Sequence, residues 1–476
     1  MLFNSLEYLV FMLVCLAVSW MLAGYSRLRT WFILVASLYF YYSNNHWQIL
    51  LLLFATTVDY AVCLRMQDEP SLTRRRMLLS VSLVSNLGLL CYFKYVNFFG
   101  ESLQALADAL GFRLDWVDLN VLLPVGISFY TFEALSYTID VYRGEIRAER
   151  DWSRLAFLVS FFPHLIAGPI VRAKDFFPQI GRPPRLPPER LEQALFLIAT
   201  GLFKKMIVAD TLALFADNAF DHAGSVGSLG AWIGVYAFSF QIYFDFSGYT
   251  DIALGSALLL GYELPQNFRR PYVAVSISEF WRRWHMTLSS WLRDYLYISL
   301  GGNRMRTRWG VYRNLILTMF LGGLWHGAAW HFALWGVLHG LLLSVERALG
   351  VVAPREHARA DERPGPAERL IKGALVFQVV TFLWIPFRAQ SLADSWALLQ
   401  QMFSFKDAAG LTNGVVLAAA TILLSWAWQA ASEFTSAEQR LRDAWLPVKA
   451  AAYAGVVAGV LIASSAAPRS FIYFQF

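Results

Sequence analysis

Apolar residues run in blocks of about twenty along this chain, and short polar turns separate the blocks. A helix of that length covers the hydrocarbon core of a bilayer. Leu6 to Gly24 is the first block. No basic stretch precedes it and no small-residue cleavage site follows, so it is expected to stay as a first helix rather than be removed as a signal peptide. Lys and Arg in short loops mark the cytoplasmic side of such a chain. Arg27 and Arg29 follow the first block, and Arg65, Arg74, Arg75 and Arg76 follow the third, whereas the turn from Asn44 to His46 has neither Lys nor Arg. The chain is therefore expected to start outside and then run in, out and in. Met77 to Tyr95 goes out, and "NVLLPVGISFYTFEALSYTID" comes back in to Arg143, Arg147, Arg150 and Arg154.

Alternation then fails. Leu155 to Val171 is apolar, but basic residues flank it on both sides: Arg154 before, and Arg172, Lys174, Arg182, Arg185 and Arg190 after. Pro163, Gly168 and Pro169 interrupt it, which suits a re-entrant segment better than a straight helix. Irregular backbone at membrane depth is tolerated only when buried in protein or lining a cavity. The remaining blocks bring the expectation to about twelve crossings with both termini outside. Gly350 to Arg369 reads as a mobile cytoplasmic loop.

Composition sharpens this to a polytopic membrane protein. Hydrophobic residues make up 57% of the 476 positions and charged residues 16%, against about 25% charged in soluble domains. The net charge of +6 matters less than where the charges sit. Cys15, Cys63 and Cys91 all lie in apolar runs and form no disulfide framework.

Candidate chemistry begins with "FLGGLWHGAAWHFALWGVLHG", residues 320 to 340, which holds three histidines and no charged residue. Zinc ligands on one helical face want a spacing of about four. His326, His331 and His339 are separated by gaps of five and eight, with no Asp, Glu or Cys among them, so no metal site is expected. Upstream, "SISEFWRRWHMTLSSWLRDYLYISLGGN" (Ser276 to Asn303) is too polar to span. Trp281, Trp284, Leu288, Trp291 and Tyr295 recur at helical spacing opposite Glu279, Arg282, Ser289 and Arg293. This reads as an amphipathic helix at the cytoplasmic interface with its cap near Ser278 and His285 at the boundary of its two faces. "YFDFSGYTDIALG" places Asp245 and Asp251 inside an apolar crossing, where acids are costly. They are expected to be paired with Arg, Tyr or backbone groups and to hold a broken helix.

These motifs, with "FFPHLIAGPIVR", "PQNFRRPY" and the terminal "FIYFQF", closely resemble the membrane-bound O-acyltransferase superfamily. Within it, the chain looks like the branch of alginate O-acetyltransferase membrane subunits. The likeness covers nearly the whole chain and is strongest from Tyr243 to Gly340. Teichoic-acid D-alanyl transferases are more distant but carry the same two histidine motifs.

The resemblance implies an all-α fold, with a ring of tilted helices around a thin waist, as a single transmembrane domain over residues 1–476. Its parts would be N-terminal helices over 1–118, a catalytic core over 119–349, a cytoplasmic loop over 350–370, and C-terminal helices and tail over 371–476. It implies acyl transfer, with His326 of the "WHG" motif as the central catalytic residue and His285 of "WRRWH" as the second functional position. Elementary chemistry is compatible: a buried imidazole stays neutral and serves as a base toward a hydroxyl. Gly322, Gly323 and Gly327 offer N–H groups for an oxyanion. His164, His331 and His339 read as packing histidines. The arginines from Arg269 to Arg308, Arg282 and Arg283 among them, are candidates for the phosphates of coenzyme A, although positive-inside topology predicts the same cluster.

The expected function is O-acetyl transfer in a bacterial inner membrane. Acetyl-CoA is the donor substrate, no cofactor is held permanently, periplasmic SGNH-type acetyltransferases are partners, and an exported polysaccharide is the final acceptor. Nucleic acid is not an expected partner. D-alanyl transfer is the alternative within the same chemistry. A solute transporter is the alternative outside it, and the lack of an internal repeat weighs against that. In the tail, Tyr473 is the only hydroxyl among the last six residues. The tail resembles the Phe-x-Tyr-x-x-Phe end of the small partner peptide of D-alanylation systems. Two readings stand: an aromatic plug, or Tyr473 as a candidate acyl acceptor activated by a nearby imidazole.

Overall fold

Every regular element among the described residues is a helix, as the apolar blocks predict. The computed structural model describes residues 1–351, 365–405, 413–435, 440–441, 443–463, 469 and 471–472. Tyr473 therefore lies outside the described residues. Five helical stretches are long and apolar enough to cross a bilayer: Ser26–Gln67, Leu72–Ala109, Pro366–Arg388, Gly414–Thr435 and Leu446–Ala463. The first of these is two helices, Ser26–Asn45 and Ile49–Gln67, parted at His46, whose φ of +43° turns the chain at the expected place. Leu6–Met21 and Ile127–Arg143, both expected crossings, have only 16 and 17 helical residues.

Residues 1–194 with 253–265 pack as one unit, and residues 195–252 with 266–476 as another. In the first unit, buried polar groups are matched as desolvation demands. Asp59 accepts from Asn86 Nδ2 at 3.0 Å and from Ser82 Oγ. Arg29 is not the loop cation expected from topology. It is buried, with Nε donating to Ser19 Oγ at 3.0 Å, Nη1 to the Tyr262 hydroxyl at 3.2 Å and Nη2 to the Leu260 carbonyl. Leu155 to Val171 is buried throughout and breaks at Phe161 between two short helices, Trp152–Ser160 and Phe162–Leu165. A Cβ on Gly168 would stand 2.2 Å from His164 Cα, so only glycine closes this turn.

In the second unit, glycines set the helix crossings. A Cβ on Gly201 would meet the Gly248 carbonyl oxygen at 2.6 Å, and one on Gly248 would meet the Gly201 oxygen at 2.7 Å. That crossing brings "KK" of the Phe203–Ala209 π-turn alongside the Ser228–Leu259 helix. Lys204 Nζ donates to Asp251 at 2.6 Å, and Lys205 Nζ stands 2.7 Å from Asp245. The acids are paired as expected, Asp245 with a main-chain N–H and both with lysines that were not foreseen, and the helix that carries them runs unbroken for 32 residues. Arg308–His326 and Trp330–Ala348 form a tight hairpin. A Cβ on Gly323 would stand 2.3 Å from the Phe332 oxygen, and one on Gly336 would stand 2.2 Å from the Met319 oxygen. Small residues let the two backbones touch, the usual basis of close helix pairing in membranes.

Candidate active site

His326 is the last residue of the Arg308–His326 helix, at the tip of that hairpin. Gly327 after it is extended, and a Cβ there would lie 2.0 Å from the Phe332 ring. His326 is 4% exposed. Trp325, Trp335 and Phe387 surround it edge to face, at centroid distances of 5.0, 5.2 and 5.2 Å. The pocket around this imidazole is therefore lined by aromatic rings. Two of the glycines do a different job from the one expected. The helix itself uses the N–H groups of Gly322 and Gly323, and Gly323 and Gly327 make room for Phe332.

His285 stands at a break. The stretch expected as one amphipathic helix is three short pieces, Ile277–Arg283, Met286–Trp291 and the π-turn Leu292–Tyr297. His285 joins the first two with φ +42°, a left-handed conformation uncommon for any residue but glycine. Residues from upstream supply the hydrogen bonds that the break removes from the helix. Met286 N donates to the Asn267 carbonyl at 2.8 Å, Thr287 Oγ1 to Asn267 Oδ1 at 2.6 Å, and Arg269 N to the Arg283 carbonyl at 2.9 Å. The first piece is capped by Ser276, not Ser278. Glu346 also accepts from the main chain of Ile277 and Ser278. With its course bent in this way, the aromatic face turns into the protein. Trp281, Trp284, Leu288, Trp291 and Tyr295 are all at most 9% exposed, so they pack against the protein and do not anchor a surface helix in lipid.

The two histidines share a wall. The ring of Trp325 lies 6.0 Å from that of His285 and 5.0 Å from that of His326. His285 is fully buried, with Phe246 at 4.7 Å and Phe268 at 6.4 Å. Burial among these rings pushes its imidazole down to about 3, so it is neutral at physiological pH.

His331, His339 and His164 each lie against a polar partner elsewhere in the fold. His331 Nδ1 lies 2.9 Å from the Pro386 carbonyl, near the end of the Pro366–Arg388 helix. His339 Nδ1 accepts from Trp281 Nε1 at 3.3 Å. His164, in the first unit, stands 3.0 Å from Glu133 Oε1, which also accepts from Val171 N.

The two candidate phosphate ligands part ways. Arg283 is buried between carboxylates: Nη2 donates to Glu279 at 2.6 Å and to Glu433 at 2.9 Å. Glu433 also binds Arg270 and Arg369. Arg283 is thereby a tie in the fold and not a candidate anion ligand. Arg282 is exposed and lines a cavity of about 910 Å³ together with Arg306, Arg308 and Arg347. Arg347, in a helix read only as a crossing, escaped the sequence reading because nothing local marks which face it takes. Neither His285 nor His326 lines that cavity. Among the described residues, no group of three or more His, Cys, Asp or Glu is placed to hold a metal ion.

Comparison with known proteins identifies the family of the chain. Residues 8–367 match the model of the membrane-bound O-acyltransferase family. The probable alginate O-acetylase AlgI of Pseudomonas aeruginosa is 42% identical over 410 residues, 85% of this chain and 75% of that protein. The peptidoglycan O-acetyltransferase of Helicobacter pylori is 36% identical, covering 79% of this chain and 73% of its own. The teichoic acid D-alanyltransferase of Streptococcus thermophilus is 30% identical over 57% of this chain. The match takes in both His285 and His326 and most of the helices that bury them: the chain belongs to the membrane-bound O-acyltransferase family and is an O-acyltransferase of the membrane.

Proposed function

We propose that the protein takes acetyl from cytoplasmic acetyl-CoA and passes it outward across the bacterial inner membrane, for O-acetylation of an exported polysaccharide such as alginate. The observation that carries this reading is the shared wall of Trp325 between two buried imidazoles, in a chain similar to O-acetylases over most of its length. His326 takes the proton of the attacking hydroxyl. The hydroxyl oxygen then bonds to the thioester carbonyl carbon, the C–S bond breaks, and the proton passes to the departing thiolate. His285 is a neutral hydrogen-bonding group beside this centre. Arg282, Arg306, Arg308 and Arg347 hold the phosphates of the donor. Periplasmic SGNH-type acetyltransferases collect the acetyl group.

Tyr473 is the proposed intermediate acceptor, which would split one long transfer into two short ones. Support comes from its neighbours in sequence. Phe471 and Ile472 are buried at 1% and 2% exposure, and Phe471 packs 5.6 Å from Phe246, which itself faces His285. The plug reading uses the same packing without the chemistry. The deciding experiment gives radiolabelled acetyl-CoA to purified protein in liposomes, followed by peptide mass analysis. An acetyl ester on Tyr473, absent in His326→Ala and Tyr473→Phe, is expected. Full acetyl export by Tyr473→Phe leaves only the plug. No label on protein or acceptor favours the D-alanyl or transporter readings.

A further inference from the structure

The end of the described chain meets a polar cluster that the chemistry above does not use. Asp245 is 2% exposed in an otherwise apolar helix. One of its oxygens stands 2.7 Å from Lys205 Nζ, and Lys205 also donates to Asp210 at 2.7 Å. If Asp245 needed only charge balance, Lys205 would suffice. Its second oxygen instead accepts the main-chain N–H of Ile472 at 2.6 Å. Arg469 donates to Asp217 at 2.6 Å, and Asp217 is also held by Arg388 at 2.9 Å. Between these two ties, the ring of Phe471 stacks on Tyr249 at 4.6 Å. A cleft of about 200 Å³ lies among Lys205, Asp210, Asp217, Asp245 and Arg469.

We infer that Asp245, charge-balanced by Lys205, is a main-chain clamp that docks the carboxy-terminal segment at Ile472, and that Asp245 and Lys205 are positioning residues for acyl transfer. The clamp reads a backbone N–H and ignores side-chain identity, while the Tyr249–Phe246 shelf selects an aromatic residue immediately before it. A buried carboxylate makes a short, strong hydrogen bond to N–H. Ile472 is thereby fixed in register beside the helix that packs on His285. The positioning role rests on the proposed use of Tyr473; the clamp itself does not.

The test uses the full chain in nanodiscs and two separate readouts. The first is the rate at which carboxypeptidase removes Ile472 and Phe471, followed by intact mass. The second is acetyl transfer from acetyl-CoA. The paired variants are Lys205→Met/Asp245→Asn, which keeps an acceptor oxygen without buried charge, and Lys205→Met/Asp245→Leu, which has none. Removal of Ile472 is expected to stay within about threefold of wild type in the first and to rise at least tenfold in the second. Equal rates in the two overturn the clamp. If the leucine pair does not fold, Lys205→Met/Asp245→Ala decides in its place: the shorter side chain also offers the Ile472 N–H no acceptor, and a trimming rate equal to that of the asparagine pair overturns the clamp. A released segment with undiminished acetyl transfer upholds the clamp and sinks the Tyr473 relay.

Discussion

His285 and Trp325 meet edge to face, with ring centroids 6.0 Å apart and planes inclined by 69°. Trp325 is also the sequence neighbour of His326, so one indole spaces both imidazoles. Trp325→Ala should leave a void between them. A cost of about 3–5 kcal/mol in stability is expected, with kcat for acetyl transfer reduced about 10–100-fold through lost alignment. KM for acetyl-CoA should hardly move, because Trp325 does not line the arginine cavity. A raised KM with unchanged kcat would count against this arrangement.

The hairpin that presents His326 depends on contact between backbones. Gly323→Ala puts a Cβ 2.3 Å from a main-chain oxygen, where no side chain can yield. Gly340→Ala meets Ile316 Cα at 2.6 Å, about two helical turns further from the tip. Both should lower the apparent melting temperature, by a cost of about 1–3 kcal/mol each. Only Gly323→Ala should also cut kcat at least tenfold in the protein that remains folded. Equal kcat in the two variants would show that the hairpin tip adjusts freely.

Arg282 and Arg283 are adjacent in sequence and opposite in role. Arg282→Met should raise KM for acetyl-CoA about 3–10-fold and weaken its dependence on salt, while stability stays near wild type. Arg283→Met leaves Glu279 and Glu433 with a missing cation in a buried setting. It should destabilise the fold by about 3–5 kcal/mol without a selective effect on KM. Steady-state kinetics and melting curves on the same preparations check both.

His285 carries a pH signature. Its folded value of about 3 lies below the ordinary 6.5. Between those values the unfolded chain binds a proton that the folded protein refuses, so stability falls as pH drops below 6.5. At pH 4.5 the loss is about 2–3 kcal/mol. His285→Gln, neutral at every pH, should show a smaller fall in melting temperature from pH 7 to 4.5. An identical fall in both proteins would mean that this imidazole takes up protons in the folded state.

Chelators should leave acetyl transfer unchanged. The three histidines of residues 320 to 340 face aromatic rings, a carbonyl and an indole N–H rather than one another. Zinc-reversible inhibition by a chelator would require a ligand set that these surroundings do not offer.

The sequence by itself determined the class of protein. Apolar blocks of membrane length and low charge leave few other solutions, since every backbone polar group in lipid must be satisfied by helix. The motifs around His326 and His285 named the chemistry, and two acids in an apolar helix announced that partners had to exist. Only the tertiary structure chose those partners. Lys204 and Lys205 reach Asp251 and Asp245 because two glycines let their helices touch, and helical spacing alone contains no such pairing. Periodicity likewise read Ser276 to Asn303 as one helix, because it records spacing and is blind to competing hydrogen bonds. Asn267 and Arg269, upstream in sequence, supply those bonds, break the helix at His285 and turn its tryptophans inward. Arg282 and Arg283 were equivalent as sequence, and the helix that carries them sent one to a cavity and the other to Glu433. Burial and pairing of this kind are decided by what arrives from elsewhere in the chain, and local pattern holds no record of it.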